Sequence, residues 1–205
     1  MATISLGPEE RWVQNLIMKI EGDVIGQNDP TEEQIARGEI SKEFFLSEEN
    51  KLWLSPFIKN LLSRGDVSKG DYFDYVQGHF KKFYTIPEWR NHIKSNYGFC
   101  FGTRFHGNMI ALQSGVQALW LVHDMRTKEL CDHLNLPSTS IEYVGSDTEV
   151  QDLYDKCDYR KFWQNMPKRT REFVNYLSGN GVSDLMDEGI VEIFDRLISK
   201  KYGMA

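Results

Sequence analysis

The residues able to do chemistry in this chain cluster in one stretch. Arg104 and His106 follow a glycine turn, and His123 and Arg126 follow the next apolar run. A guanidinium holds a phosphate or carboxylate through paired N–H donors. An imidazole, with an unperturbed pKa of about 6.5, passes a proton in either direction near neutral pH. The set therefore suits an anionic substrate bearing phosphate and carboxylate. Thr103, Gly107 and Asn108 flank the first pair and complete the candidate substrate-binding set. Thr103 is expected to cap the helix that follows, and Gly107 lets a ligand or backbone approach closely. No metal site is expected, because the scattered His and Cys residues lack ligand spacing.

The elements around these residues must bring them together. Residues 99–101 (FCF) predict a buried strand, Gly102 and Thr103 a turn, and residues 117–122 a second buried strand. Between them Phe105, Met109, Leu112 and Val116 stand at i, i+4, i+7 and i+11, one apolar stripe for the sheet. That phase puts Arg104 and His106 in the first turn, off the stripe, where unpaired N–H groups favour an anion. Asp124 is expected to cap the next helix. In a parallel sheet the ends of both strands face one crevice.

The flanks predict alternating strands and helices. ATISL and residues 23–27 are strand candidates, and Gly7-Pro8-Glu9-Glu10 opens a helix carrying Trp12, Val13, Leu16, Ile17 and Ile20. Residues 28–50 are polar and Glu-rich and predict a surface helix with a loop. Residues 53–62 predict a helix, 63–70 a turn-rich connection, 81–85 a strand and 87–96 a helix. A last strand is expected near 138–144, then amphipathic helices over 147–177 and 183–201. The class is α/β, an open, mostly parallel sheet flanked by helices, in a single domain over residues 1–205 with a helical extension from about residue 147.

Composition narrows the function classes. Hydrophobic residues make up 40% and charged residues 26% of the 205, the balance of a globular domain. A net charge of -6 opposes nucleic-acid binding, which needs a basic surface, but leaves room for a locally basic anion pocket. No apolar run approaches the roughly 20 residues of a membrane span. No signal peptide is expected from MATISLGPEERW. Cys100, Cys131 and Cys157 read as reduced, packed thiols of a cytoplasmic protein.

The string Gly102-Thr103-Arg104-Phe105-His106-Gly107-Asn108, then Ala111-Leu112-Gln113-Ser114-Gly115-Val116, then His123-Asp124-x-Arg126-Thr127-x-Glu129-Leu130 resembles the polysaccharide pyruvyl transferase family. The family pattern is an R-x-H-G helix start, an A-L-Q-x-G-V-P segment and an H-D-S-R-T-x-E-L strand end. Gln117 stands where the family usually has Pro, and Met125 where it has Ser. The resemblance implies transfer of a pyruvyl group from phosphoenolpyruvate to two sugar hydroxyls, giving a ketal on a cell-surface glycan or its precursor. Phosphoenolpyruvate is then a donor substrate, and no cofactor is implied. The resemblance also implies a Rossmann-like sheet similar to the C-terminal domain of a GT-B fold. Arg104 would bind the donor, His106 would move a proton, and Arg126 would help hold the donor. Since one such domain is legible, the expectation is half of an enzyme, its cleft completed by a partner domain or a homo-oligomer.

Two other classes fit parts of the sequence. One is the nucleotide-sugar-binding half of a GT-B glycosyltransferase, although no acidic residue stands ready for a ribose. The other is a non-catalytic binding or assembly module, with Trp12, Trp53, Trp89, Tyr72, Phe73 and Tyr75 as an interface. Those aromatics serve equally as ordinary core.

Overall fold

The computed structural model describes residues 2–3, 11–26, 29–48 and 51–181. Six short strands form one sheet: β1 (Ala2–Thr3), β2 (Val24–Ile25), β3 (Phe80–Lys81), β4 (Phe99–Gly102), β5 (Gln117–Val122) and β6 (Ser138–Ser140). They lie in the order β3-β2-β1-β4-β5-β6, and every pair is parallel. The described helices are α1 (Arg11–Lys19), α2 (Pro30–Ala36), α3 (Lys42–Glu48), α4 (Pro56–Arg64), α5 (Lys69–His79), α6 (Ile86–Asn96), α7 (Phe105–Gln113), α8 (Met125–Leu134), α9 (Val150–Tyr154) and α10 (Arg160–Gly179). The α/β class with a parallel, Rossmann-like sheet is the one the alternation predicts. No described helix is long and apolar enough to cross a membrane.

The strand order carries the functional consequence. The chain lays β1, β2 and β3 in one direction, then returns to place β4 on the other side of β1. In open sheets of this order the ligand crevice lies beyond the C-terminal strand ends at that reversal. The residues leaving β4 there are Thr103 and Arg104.

Side chains alternate between the two faces of the central strands, and both faces are buried. Phe101, Leu119 and Leu121 pack with Val13, Leu16 and Ile17 of α1 and Leu153 of α9. Ala118 and Trp120, on the opposite face, are also fully buried, and the Trp120 ring meets Phe105 of α7 at 5.9 Å. A second cluster joins the helices beside β3: Ile35, Phe45, Phe57, Leu61, Tyr72, Phe73 and Val76 among others. Residues 28–50 are thus more than a surface helix and loop, since α2 and α3 each turn an apolar residue, Ile35 and Phe45, into this core. Helix α5 is unanticipated by the sequence reading. Ser68 starts it by accepting from the Asp71 N–H at 3.0 Å, and its aromatics Tyr72, Phe73 and Tyr75 are core, while Trp53 is exposed. Strand β3 holds only the first residue of the expected 81–85 segment. The rest leads into α6, which Thr85 caps by accepting from the Glu88 N–H.

The entrance ends of three strands are knotted by one carboxylate. Asp23 precedes β2; its Oδ1 lies 3.2 Å from Nδ1 of His79, just before β3, and its Oδ2 accepts from the hydroxyl of Tyr97, just before β4. His92 Nε2 lies 3.0 Å from the same hydroxyl. Burial and the Asp23 carboxylate raise the Tyr97 pKa, so it remains a donor.

By packing, the described residues fall into two units. The first lies within Met1–Leu130 and Pro137–Cys157 and contains the whole sheet; the second lies within Cys131–Leu136 and Asp158–Ala205. In the second, Arg169 of α10 donates to the carbonyls of His133 and Leu134, and Asn165 donates to Asn135 Oδ1 at 2.8 Å. The expected helix opening at residues 7–10, the end of the ATISL strand and the helix over 183–201 lie outside the described residues.

Gly26, at the exit of β2, donates its N–H to the Lys81 carbonyl at 3.1 Å. A Cβ there would overlap the Phe80 ring and stand 2.8 Å from Asp29 Oδ2. Phe80 is buried in β3, so Gly26→Ala must displace it, at a cost of about 1–3 kcal/mol by the usual penalty for overpacking. Equilibrium denaturation should show a lower midpoint; an unchanged midpoint would contradict this packing.

Candidate anion-binding site

The crevice beyond β4 and β5 gathers residues from both strand exits. A cleft of about 350 Å³ is lined by Thr103, Arg104, Phe105 and His106 from the first and by His123, Asp124, Arg126, Thr127 and Leu130 from the second. The four residues that the sequence singles out for chemistry therefore share one cavity. Thr103 is buried at its floor, Arg104 is half-buried, and His106 and Arg126 are exposed. Gly107 and Asn108 are not among the lining residues; both are buried in the first turn of α7. The Asn108 amide donates to the carbonyls of Gly102 at 2.8 Å and Leu119 at 3.2 Å.

Two local details differ from the sequence expectation. Arg104, not Thr103, is the N-cap of α7, with φ -77 and ψ 110, and its side chain makes no capping hydrogen bond. The extended strand runs on through Gly102, which leaves Thr103 buried below the cap rather than at it. The phase of α7 also differs: Gly107, Asn108, Ile110 and Ala111 are buried, whereas Phe105, Met109 and Leu112 are half-buried. Small residues let the helix lie close on β4 and β5, and the Asn108 amide requires that face to point inward.

This geometry favours an anion. The N-cap residue Arg104 carries a guanidinium, which cannot accept from the first N–H groups of α7, so the positive end of the helix dipole adds to the cationic side chains at this cleft. Arg104 Nε is buried with no hydrogen-bond partner among the described residues. The facing helix α8 is capped, since Asp124 Oδ1 accepts from the Thr127 N–H at 2.6 Å. That N–H, with the Thr127 hydroxyl, holds the Asp124 carboxyl below the ordinary carboxylate range. His123 Nε2 lies 3.4 Å from Asp124 Oδ2. Among the described residues no three His, Cys, Asp or Glu side chains are grouped to hold a metal ion.

Arg104 also lines a neighbouring cavity of about 290 Å³ with Gln14, Asp29, Glu32, Trp53 and Tyr72. Glu32 is 4% exposed and accepts from the Tyr72 hydroxyl at 2.9 Å through Oε1, while Oε2 has no partner among the described residues. Burial pushes its carboxyl up to about 7; its backbone contact and the Tyr72 bond oppose this, and Asp29 adds to it. Sequence reasoning passed over Glu32. The available signal was its spacing from Ile35, i and i+3, which puts a carboxyl on the helix face that turns to the core.

The polysaccharide pyruvyl transferase family model matches residues 25–125, a span that includes Arg104, His106 and His123 and stops one residue short of Arg126. No curated protein and no solved structure matches the chain.

The Glu32 environment makes stability pH-dependent. With a folded pKa of about 7 against an ordinary 4.5, the folded chain binds the extra proton between those values. Stability from this group is complete below pH 4.5 and is lost as the pH rises through 7, by on the order of 3 kcal/mol. Glu32→Gln, which cannot ionise, should remove that component from denaturation measured between pH 4.5 and 7.5. Parallel stability curves for the two proteins would contradict it.

Proposed function

With residues 25–125 belonging to the polysaccharide pyruvyl transferase family, we propose that the chain transfers a pyruvyl group from phosphoenolpyruvate to two hydroxyls of a sugar, in a glycan or its precursor. The observation that carries this reading is the start of α7, with Arg104 at its N-cap and His106 in its first turn, lining one cleft with His123 and Arg126. Phosphoenolpyruvate bears a phosphate and a carboxylate on one small carbon frame. Two guanidinium groups and a helix N-terminus match those two anions.

The chemistry assigns a task to each group. Protonation of the methylene carbon of phosphoenolpyruvate makes its C2 an oxocarbenium-like centre, to which the first sugar hydroxyl adds with loss of its proton. The second hydroxyl then bonds to C2 as the C2–O bond to phosphate breaks, its proton leaving with phosphate or to solvent. His106, exposed at the rim, serves as the proton carrier and re-equilibrates with water between turnovers. Arg104, Arg126 and the N–H groups of α7 stabilise the departing phosphate. In this reading the sheet forms one wall of a GT-B-like cleft, and a partner domain or second copy supplies the other.

Thermal-shift titration separates this reading from nucleotide-sugar binding. Phosphoenolpyruvate at about 100 times its Kd should stabilise the chain by about 2.7 kcal/mol, a Tm rise of several degrees, and Arg104→Ala should abolish the rise. A response to nucleotide sugars alone would favour the glycosyltransferase reading. His106→Ala should keep the phosphoenolpyruvate response while turnover falls about 10²- to 10⁴-fold. Unchanged turnover in that variant would remove His106 from the proton step.

A further inference from the structure

The second cavity holds polar groups that the fold leaves unspent. Glu32 is 4% exposed, one carboxyl oxygen is used by Tyr72, and Oε2 has no partner among the described residues. Arg104, which lines the same cavity, has a buried Nε that is likewise without a partner among the described residues. A buried polar atom without a partner costs stability, so two such atoms on residues that line one cavity point to a ligand that both side chains turn to meet. Trp53 is 54% exposed at this cavity, and its backbone is held because the Thr31 hydroxyl donates to the Trp53 carbonyl.

The chemistry of the walls selects the ligand class. Glu32 and Asp29 oppose a second phosphate or carboxylate, and Arg104 opposes an ammonium group. What fits is a neutral molecule with hydroxyls on its edge and an apolar face for an indole. A volume of about 290 Å³ stands at the small end of ligand cavities, room for one six-membered ring rather than a nucleoside diphosphate sugar. We propose that this cavity binds one sugar ring of the acceptor, with Glu32 Oε2 and Arg104 Nε bonded to ring oxygens and the Trp53 indole against its C–H face. The proposal rests on the pyruvyl-transfer reading for the sugar's role as acceptor. It makes Arg104 the element common to both substrates, for which the five N–H donors of a guanidinium suffice. Burial raises the Glu32 carboxyl to about 7, so Oε2 offers a donor below that pH and an acceptor above it.

The test is binding of methyl galactoside, methyl glucoside and methyl mannoside to the full chain, by saturation-transfer NMR and calorimetry. At least one should bind, and Trp53→Ala and Glu32→Ala should each weaken it about tenfold, the loss expected for one stacking face or one hydrogen bond to a buried group. Trp53 is exposed, so its variant keeps the fold and decides the matter alone if Glu32→Ala does not fold. Trp53→Ala should leave the thermal response to phosphoenolpyruvate intact. No binding of any glycoside, or binding indifferent to Trp53→Ala, overturns the sugar cavity, even where phosphoenolpyruvate still binds. Glycoside binding of the expected kind without a phosphoenolpyruvate response leaves the cavity standing and removes the pyruvyl-transfer reading.

Discussion

The side-chain amide of Asn108 donates to one carbonyl in β4 and one in β5, and the placing of α7 follows from those two bonds. β4 and β5 are already registered by their parallel ladder, with Gly102 opposite Trp120. A helix leaving β4 could still roll on that surface. One fully buried amide bound to both strands stops the roll and fixes the first turn, so Arg104 at the cap and His106 beyond it point where they do. Losing the amide would leave two buried acceptors short of a donor, on the order of 1–3 kcal/mol each. The same loss would free the helix terminus that makes the anion site.

The sheet treats its two edges differently. At the strand entrances Asp23 spends both oxygens, on His79 and Tyr97, and ties three strands with groups that satisfy one another. At the exits, two polar atoms have no partner among the described residues, Arg104 Nε and Glu32 Oε2, beside the start of α7. Trp89 Nε1 and Trp120 Nε1 are also buried without a partner among the described residues, so what distinguishes the exit side is that Arg104 and Glu32 line one cavity together. Arg104 stands between the two cavities there, and the strand order puts it at the reversal where open sheets bind ligands.

Much of this was legible in the sequence, for identifiable reasons. Glycine and cap residues bracketed β4, α7 and β5 closely, with Gly115 ending α7 at φ +82 as a left-handed stop. The convergence of Arg104, His106, His123 and Arg126 followed from the parallel sheet alone. The phase of α7 did not, because apolar bulk pointed to Phe105, Met109 and Leu112 while close packing selected Gly107, Asn108 and Ala111. Helices α2, α3 and α5 carry few apolar residues for their charge, and only tertiary packing shows that Ile35, Phe45 and Phe73 share a core. The buried state of Glu32 was hidden with them, and with it the second cavity.

The central claim is that an anionic donor sits on the open start of α7. Mapping backbone amide shifts by NMR as phosphoenolpyruvate is added tests it directly. The largest shifts should fall on Phe105, His106 and Gly107, with smaller ones at Arg126 and Thr127 across the cleft. Shifts concentrated instead on the Arg90 and Lys94 face of α6, with the α7 terminus silent, would contradict the account.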